Sequence, residues 1–225
     1  MPISVAILIY KDVDILDFAG PLGILSSSVL NGAFSFTIIA QSEVTQTCCH
    51  VRVPRDVSIE EAHENLHNFH ILLVPGASIE GSVAIARNAD SPELRFVKAF
   101  SEQKADLGGS DPRPRTMFSV CSGALILGAA GVLVGKTATT HHLCLNLLRE
   151  QCAVHQGYTN VVHSRYEDGG LTENGIRVLT AGGVSSGMDA ACYLIAKELS
   201  IRDADAAAKM NEYEWQKDKA LFSTS

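Results

Sequence analysis

Several common signatures are missing from this 225-residue chain. It has no cluster of Lys and Arg and a formal net charge of −7, which argues against nucleic acid as the main partner, because phosphate binding needs concentrated cations. No apolar run approaches the roughly 20 residues that span a bilayer, so no membrane partner is expected. The amino terminus, MPISVAILIY, has no basic segment ahead of its apolar run and no cleavage-like site. It reads as a first strand and not as a leader. The six cysteines, at 48, 49, 121, 144, 152 and 192, form no CxxC pair and no zinc-ligand spacing. Free thiols in a reducing cytoplasm are therefore expected, with no metal and no cofactor. The adjacent Cys48 and Cys49 are expected as strand content, since neighbouring cysteines seldom meet disulfide geometry. There is also no internal repeat and no low-complexity segment.

With 46% hydrophobic and 19% charged residues, the composition suits one compact domain spanning 1–225. Apolar runs at Ile3 to Tyr10, Phe34 to Gln41, Ile71 to Val74, Met117 to Val120 and Ile176 to Thr180 read as strands, several covered on both faces. Helical patterns alternate with them, at Ile15 to Ser28, Leu94 to Glu102, after Gly123, at Leu143 to Gln151 and up to Leu199. That alternation predicts an α/β fold, a doubly wound, mostly parallel sheet with helices on both faces. Thr137 to His142 reads as a short strand ending in two histidines, and Val161 to Tyr166 with Asp168 to Leu171 as a hairpin. The region from His50 to Ile59 reads as a short hairpin or irregular crossover. Gly108 to Arg115 reads as a surface loop, and Asp203 to Trp215 as a surface or dimer-contacting helix.

The stretch TMFSVCSGALILGAAGVLV reads as strand, sharp turn and helix, with Cys121 on the turn. A side chain there stands at the carboxyl edge of the sheet beside the first free N–H groups of a helix, conditions that favour a thiolate nucleophile. A plain buried thiol is the competing reading. In a doubly wound sheet four segments converge on that edge: Asp14 to Gly20, Pro75 to Ser78, Cys121 to Gly123, and Gly182 to Ser186. Asp17 would then sit beside Cys121 with its proton affinity raised, able to act as a general acid, or else be an ordinary helix-end carboxylate. Ser122 is either a small turn residue or a hydroxyl that positions substrate. Gly76, Ala77, Gly123, Gly183 and Val184 are candidate substrate contacts. His141 is another, as a base or as a structural residue, and His142 has no assigned role. His63 and His67, spaced as on one solvated helix face, lack a third ligand for a metal.

The segments VAILIYKDVDILDFAGPLGIL, ILLVPGA, SVCSGALILGAAGVLVGKTATTHH and LTAGGVSSGMDAACYLIAKEL together resemble the ThiJ/PfpI family of the class I glutamine amidotransferase-like folds over nearly the whole chain. Within it the resemblance leans to the isonitrile hydratase branch and to sensor-like domains fused to helix-turn-helix regulators. It implies a flavodoxin-like sandwich, a homodimer, and Cys121 as nucleophile, Asp17 of the DxAGP motif as proton-handling acid and Ser122 as positioning hydroxyl. The implied activity is cofactor-free hydration of an isonitrile to an N-substituted formamide. Alternatives are a glyoxalase acting on methylglyoxal and a redox-sensing or ligand-binding protein that oxidises Cys121. Ser122 stands where the glyoxalase-like and protease-like branches place a histidine, which counts against them. Thr139-Thr140-His141-His142 departs from the branch's usual ThrThrHisTrp, which implies a larger or more polar small-molecule substrate. No DNA-binding domain follows residue 225, which disfavours the regulator reading.

Overall fold

Alternation along the central strands sends successive side chains to opposite faces of one sheet, and each face meets its own layer of helices. The computed structural model describes residues 2–103 and 113–217. Its strands are β1 (Ile3–Leu8), β2 (Phe34–Ala40), β3 (Val44–Gln46), β4 (Arg52–Pro54), β5 (Val57–Ser58), β6 (Ile71–Val74), β7 (Thr116–Val120), β8 (Thr137–Ala138), β9 (Asn160–Val161), β10 (Tyr166–Leu171) and β11 (Arg177–Ala181). Its helices are α1 (Ile15–Leu25), α2 (Ile59–Glu64), α3 (Ile79–Arg87), α4 (Pro92–Glu102), α5 (Ala124–Ala129), α6 (Leu145–Cys152), α7 (Ser186–Glu198) and α8 (Ile201–Met210). None of these helices is long and apolar enough to cross a membrane.

The main sheet has the order β10-β11-β7-β6-β1-β2-β5. All neighbours run parallel except β10 with β11. Ala6, Leu8, Leu72, Val74 and Met117 face one core, filled by Phe96, Phe100, Leu127 and Leu148 from the layer of α2 to α6. Val5, Ile7, Ile71, Leu73 and Phe118 face the other, with Phe18, Ile24, Cys192 and Leu194 from α1 and α7. Strands buried on both sides explain the near-continuous apolar runs. Truncating a residue such as Phe118, which has no exposed surface, would cost about 3–5 kcal/mol. The expected doubly wound α/β architecture is the one observed. The chain reverses direction across the sheet between β1 and β6, and in such folds ligands bind outside the carboxyl ends of the strands at that crevice.

Several local expectations are corrected. The hairpin joins β10 to β11, not Val161–Tyr166 to Asp168–Leu171, because Tyr166 to Leu171 is a single strand with a register irregularity. Asp168 anchors it, accepting from Gly170 N–H at 2.9 Å and from the Tyr193 hydroxyl at 2.6 Å. The strand at Thr137 stops at Ala138, and His142 already lies in a 3-10 turn. Cys48 and Cys49 are exposed in the turn between β3 and β4, not in a strand. His63 lies in the last turn of α2 while His67 belongs to a separate 3-10 turn, so the two share no continuous helix face. The carboxyl-terminal helix begins at Ile201, ends at Met210 and buries Ala204, Ala207 and Ala208 in the second core. Residues 108–112 of the expected surface loop lie outside the described residues.

Candidate active site

Strand β7 delivers the chain to Cys121, which adopts φ +57°, a left-handed conformation that costs a non-glycine residue about 1–3 kcal/mol. Its main chain is held on both sides. The Cys121 N–H donates to the Gly182 carbonyl at 2.8 Å, and the Thr140 hydroxyl donates to the Cys121 carbonyl at 2.7 Å. Cys121–Gly123 forms a 3-10 turn that runs into α5. A Cβ on Gly123 would lie 2.2 Å from the Val74 carbonyl oxygen and 2.7 Å from that of Pro75. Only glycine lets the turn press against the end of β6.

Asp17 arrives from the opposite side, in the first turn of α1. The helix start is fixed by the Asp14 side chain, which accepts the Leu16 N–H at 2.9 Å, and by the Asp14 N–H, which donates to the Gly76 carbonyl at 2.9 Å. Asp17 has no exposed surface. Its Oδ2 accepts the Gly76 N–H at 3.1 Å. Its Oδ1 completes no well-formed hydrogen bond, although the Cys121 thiol and the Val184 N–H lie close enough to favour the carboxylate. Burial first, then the charge of Asp14, outweigh those groups and push the Asp17 carboxyl up to about 7. The half-buried Cys121 thiol is pushed up by burial and by the Asp17 charge, against the opposing Ser122 N–H.

The elbow alone therefore does not make a thiolate, contrary to the reading from position. The helix behind it, α5, has six residues, and the nearest charge is negative. With both groups raised, the Cys121–Asp17 pair sheds its first proton near neutral pH and then shares one proton between sulfur and oxygen, so the titration belongs to the pair. A carboxyl that can hold a proton beside a sulfur is equipped for general acid work.

The other expected residues divide into two groups. Ser122, 1% exposed, turns its hydroxyl inward. It accepts the Ala77 N–H at 3.1 Å, donates to the Ala77 carbonyl at 3.1 Å and meets the Ser82 hydroxyl at 2.8 Å. The expected substrate-positioning hydroxyl is thus a fastener between two loops. The amides of Gly76 and Ala77 are taken by Asp17 and Ser122, so neither offers a free donor to substrate, and Gly123 is buried against β6. A Cβ on Gly76 would lie 2.7 Å from both Asp17 Oδ2 and Ser122 Oγ, which is why the position is glycine.

His141, Gly183 and Val184 lie close together. A Cβ on Gly183 would come within 2.8 Å of the His141 ring, and Val184 carries φ +37°, strained for a β-branched residue. Burial and neighbouring His142 lower the His141 pKa, so its imidazole is neutral at pH 7. The His142 ring centroid lies 4.3 Å from that of His141 and 6.5 Å from that of His163. Among the described residues no group of three or more His, Cys, Asp or Glu is placed to hold a metal.

Sequence reading missed the support beneath the site. Tyr10 is buried and donates its hydroxyl to the Pro75 carbonyl, and burial raises its pKa. Ser82 on α3 extends the Ser122 network. Thr140 sits next to the flagged His141. Tyr10 ends the first apolar run as its one aromatic, polar-tipped member, and that was the available signal.

The chain is 25% identical over 213 residues to the isonitrile hydratase of Pseudomonas putida, covering 95% of this chain and 79% of that protein. It is 28% identical over 155 residues to an uncharacterized protein in the cpoL 5' region of Streptomyces lividans, covering 67% of this chain and 96% of that one. A crystal structure of a ThiJ/PfpI family protein from Pseudomonas syringae superposes with a TM-score of 0.72 at 23% identity, covering all of this chain and 79% of that chain. The DJ-1/PfpI family profile matches residues 3–197, and with the parallel sheet and its cysteine elbow this places the chain in the DJ-1/PfpI family.

Proposed function

We propose that the protein is a cofactor-free, cysteine-dependent hydratase that converts an isonitrile and water to an N-substituted formamide. The observation that carries this reading is the buried Asp17 carboxyl beside the half-buried Cys121 thiol, a pair that holds a single proton above neutral pH. Similarity to the Pseudomonas putida isonitrile hydratase supports the substrate class.

The Cys121 thiol passes its proton to the Asp17 carboxylate as the sulfur attacks the terminal carbon of R–N≡C, and Asp17 delivers that proton to the same carbon, giving the thioimidate R–N=CH–S–Cys121. The Asp17 carboxylate then takes a proton from water as the water oxygen adds to the same carbon. The C–S bond breaks and its electron pair returns to sulfur, the proton on Asp17 passes to nitrogen, and the hydroxyl proton passes through Asp17 back to sulfur, leaving R–NH–CHO and the pair with its single proton. The Ser122 N–H favours the sulfur anion at the first and last steps. The working form is a cytoplasmic homodimer, supported by the exposed apolar Leu16, Val44 and Val51 on α1 and the nearby β3–β4 hairpin.

Incubation of the purified protein with an aliphatic or aromatic isonitrile should yield the formamide, and Cys121→Ala should abolish it. Turnover that survives Cys121→Ala rules the mechanism out.

A further inference from the structure

The loop that closes the dyad from the β11 side is held by groups to which the proposed chemistry gives no task. Arg165, just before β10, grips this loop twice. Its carbonyl accepts the Gly182 N–H at 2.8 Å, and its guanidinium reaches Ser185 Oγ at 3.3 Å. Its Nε is also bonded to Asp189 Oδ2. Asp189, in the first turn of α7, has no exposed surface, and its Oδ1 accepts the Gln216 N–H at 2.8 Å. The chain beyond α8 thus comes back across the loop. There the Tyr213 hydroxyl donates to the Ser185 carbonyl at 3.2 Å, and the Tyr166 hydroxyl donates to the Lys217 carbonyl at 3.2 Å. Between these anchors sits Val184, whose φ of +37° persists only where surrounding bonds over-determine it.

The loop touches the dyad at two points. Gly182 receives the Cys121 N–H through its carbonyl at 2.8 Å, which helps hold Cys121 in its left-handed conformation. The Val184 N–H lies on the Asp17 side and favours the ionised carboxyl without completing a well-formed hydrogen bond to it. A loop fixed only for the sake of the fold would not need a strained residue at the one position that faces the carboxyl.

We propose that Arg165, Asp189 and Tyr213 are positioning residues, which hold the Gly182–Ser185 loop so that its Gly182 carbonyl and Val184 N–H keep Cys121 and Asp17 in register. The proposal rests on the reading of Cys121 and Asp17 as a working pair. Loosening the loop withdraws an N–H that favours ionised Asp17, so the pair gives up its proton at higher pH. His141, whose ring packs on Gly183, is a titratable group the loop itself touches, and Asp14, Tyr10, Cys48 and Cys144 are the other titratable neighbours of the pair.

The test is the pH dependence of Cys121 alkylation by iodoacetamide, followed by peptide mass spectrometry so that Cys48 and Cys49 are counted separately. In Tyr213→Phe and Asp189→Asn the inflection of the profile should move to higher pH by about half to one unit, and the rate on the plateau above it should rise roughly 3–10-fold, because a protonated Asp17 no longer opposes the thiolate. With an isonitrile as substrate, kcat should fall with KM little changed. Folded variants with the wild-type profile overturn the proposal, even if their melting temperature drops. Should Asp189→Asn fail to fold, Tyr213→Phe decides alone, since it removes one half-buried oxygen. Asp17→Asn separates the two ideas: if the wild-type profile is indifferent to it, the dyad reading fails whatever the Tyr213 variant does.

Discussion

Replacing Asp17 by asparagine should stabilise the protein, and by an amount that grows with pH. The folded carboxyl titrates near 7, whereas an exposed aspartate does so near ~3.9. Below pH ~4 both states hold the proton and folding incurs no electrostatic penalty. Between pH ~4 and 7 the unfolded carboxyl ionises while the folded one does not, so the wild type loses stability as pH rises. Above 7 the loss is complete and constant. Each pH unit in the gap is worth about 1.4 kcal/mol, a ceiling of about 4 kcal/mol, and local relaxation around the carboxylate brings the realised value nearer 2–3 kcal/mol. Asparagine does not titrate, yet its side-chain oxygen can still accept the Gly76 N–H. Groups not coupled to Asp17 cancel when the two proteins are compared at the same pH, which leaves the Asp17–Cys121 pair as the source of the difference. Urea unfolding of both at pH 5, 6, 7 and 8 should show the difference in favour of Asp17→Asn rising by about 2 kcal/mol and levelling off above 7. A difference that stays flat across that range would refute the claim that this carboxyl is held protonated by burial.

Ser122→Ala should lower stability by about 1–3 kcal/mol in urea unfolding, because it strands the Ala77 N–H and the Ser82 hydroxyl, while isonitrile turnover falls only in proportion to the folded fraction. A folded Ser122→Ala protein without activity would restore the substrate-positioning role. Gly123→Ala should fail to give soluble folded protein, or lose about 3 kcal/mol or more by circular dichroism melting, since its methyl would sit 2.2 Å from the Val74 carbonyl oxygen. Cys121→Ala should keep the wild-type fold by circular dichroism and lose all formamide production.

The sheet was legible because its strands are covered on both faces, so ILLV at 71–74 and TMFSV at 116–120 announce themselves by composition alone. The elbow was legible for a related reason: a strand that ends at Cys-Ser-Gly and continues as apolar helix has few other ways to fold. Partner groups were harder to see. Gly182 and Thr140 hold Cys121 from sequence distances of 61 and 19 residues, and no local pattern marks a hydroxyl as the donor to one particular carbonyl. Hydrogen-bond saturation was equally hidden. Ser122 looked available as a hydroxyl because its neighbours Ala77 and Ser82 come together with it only in the fold. The hairpin was misplaced because Glu167-Asp168-Gly169-Gly170 has the composition of a turn, whereas Arg177 and Tyr193 draw Asp168 into an edge strand.

The close seat of Gly123 on the end of β6 sets which side of the cleft can yield. Main-chain atoms already touch there, so the wall behind the sulfur has no slack to give to a bulkier guest. Tolerance for size must come from elsewhere, and the half-buried His141 side chain is the candidate. Laboratory evolution toward wider isonitriles should accordingly accumulate changes at His141 and leave Gly76 and Gly123 untouched.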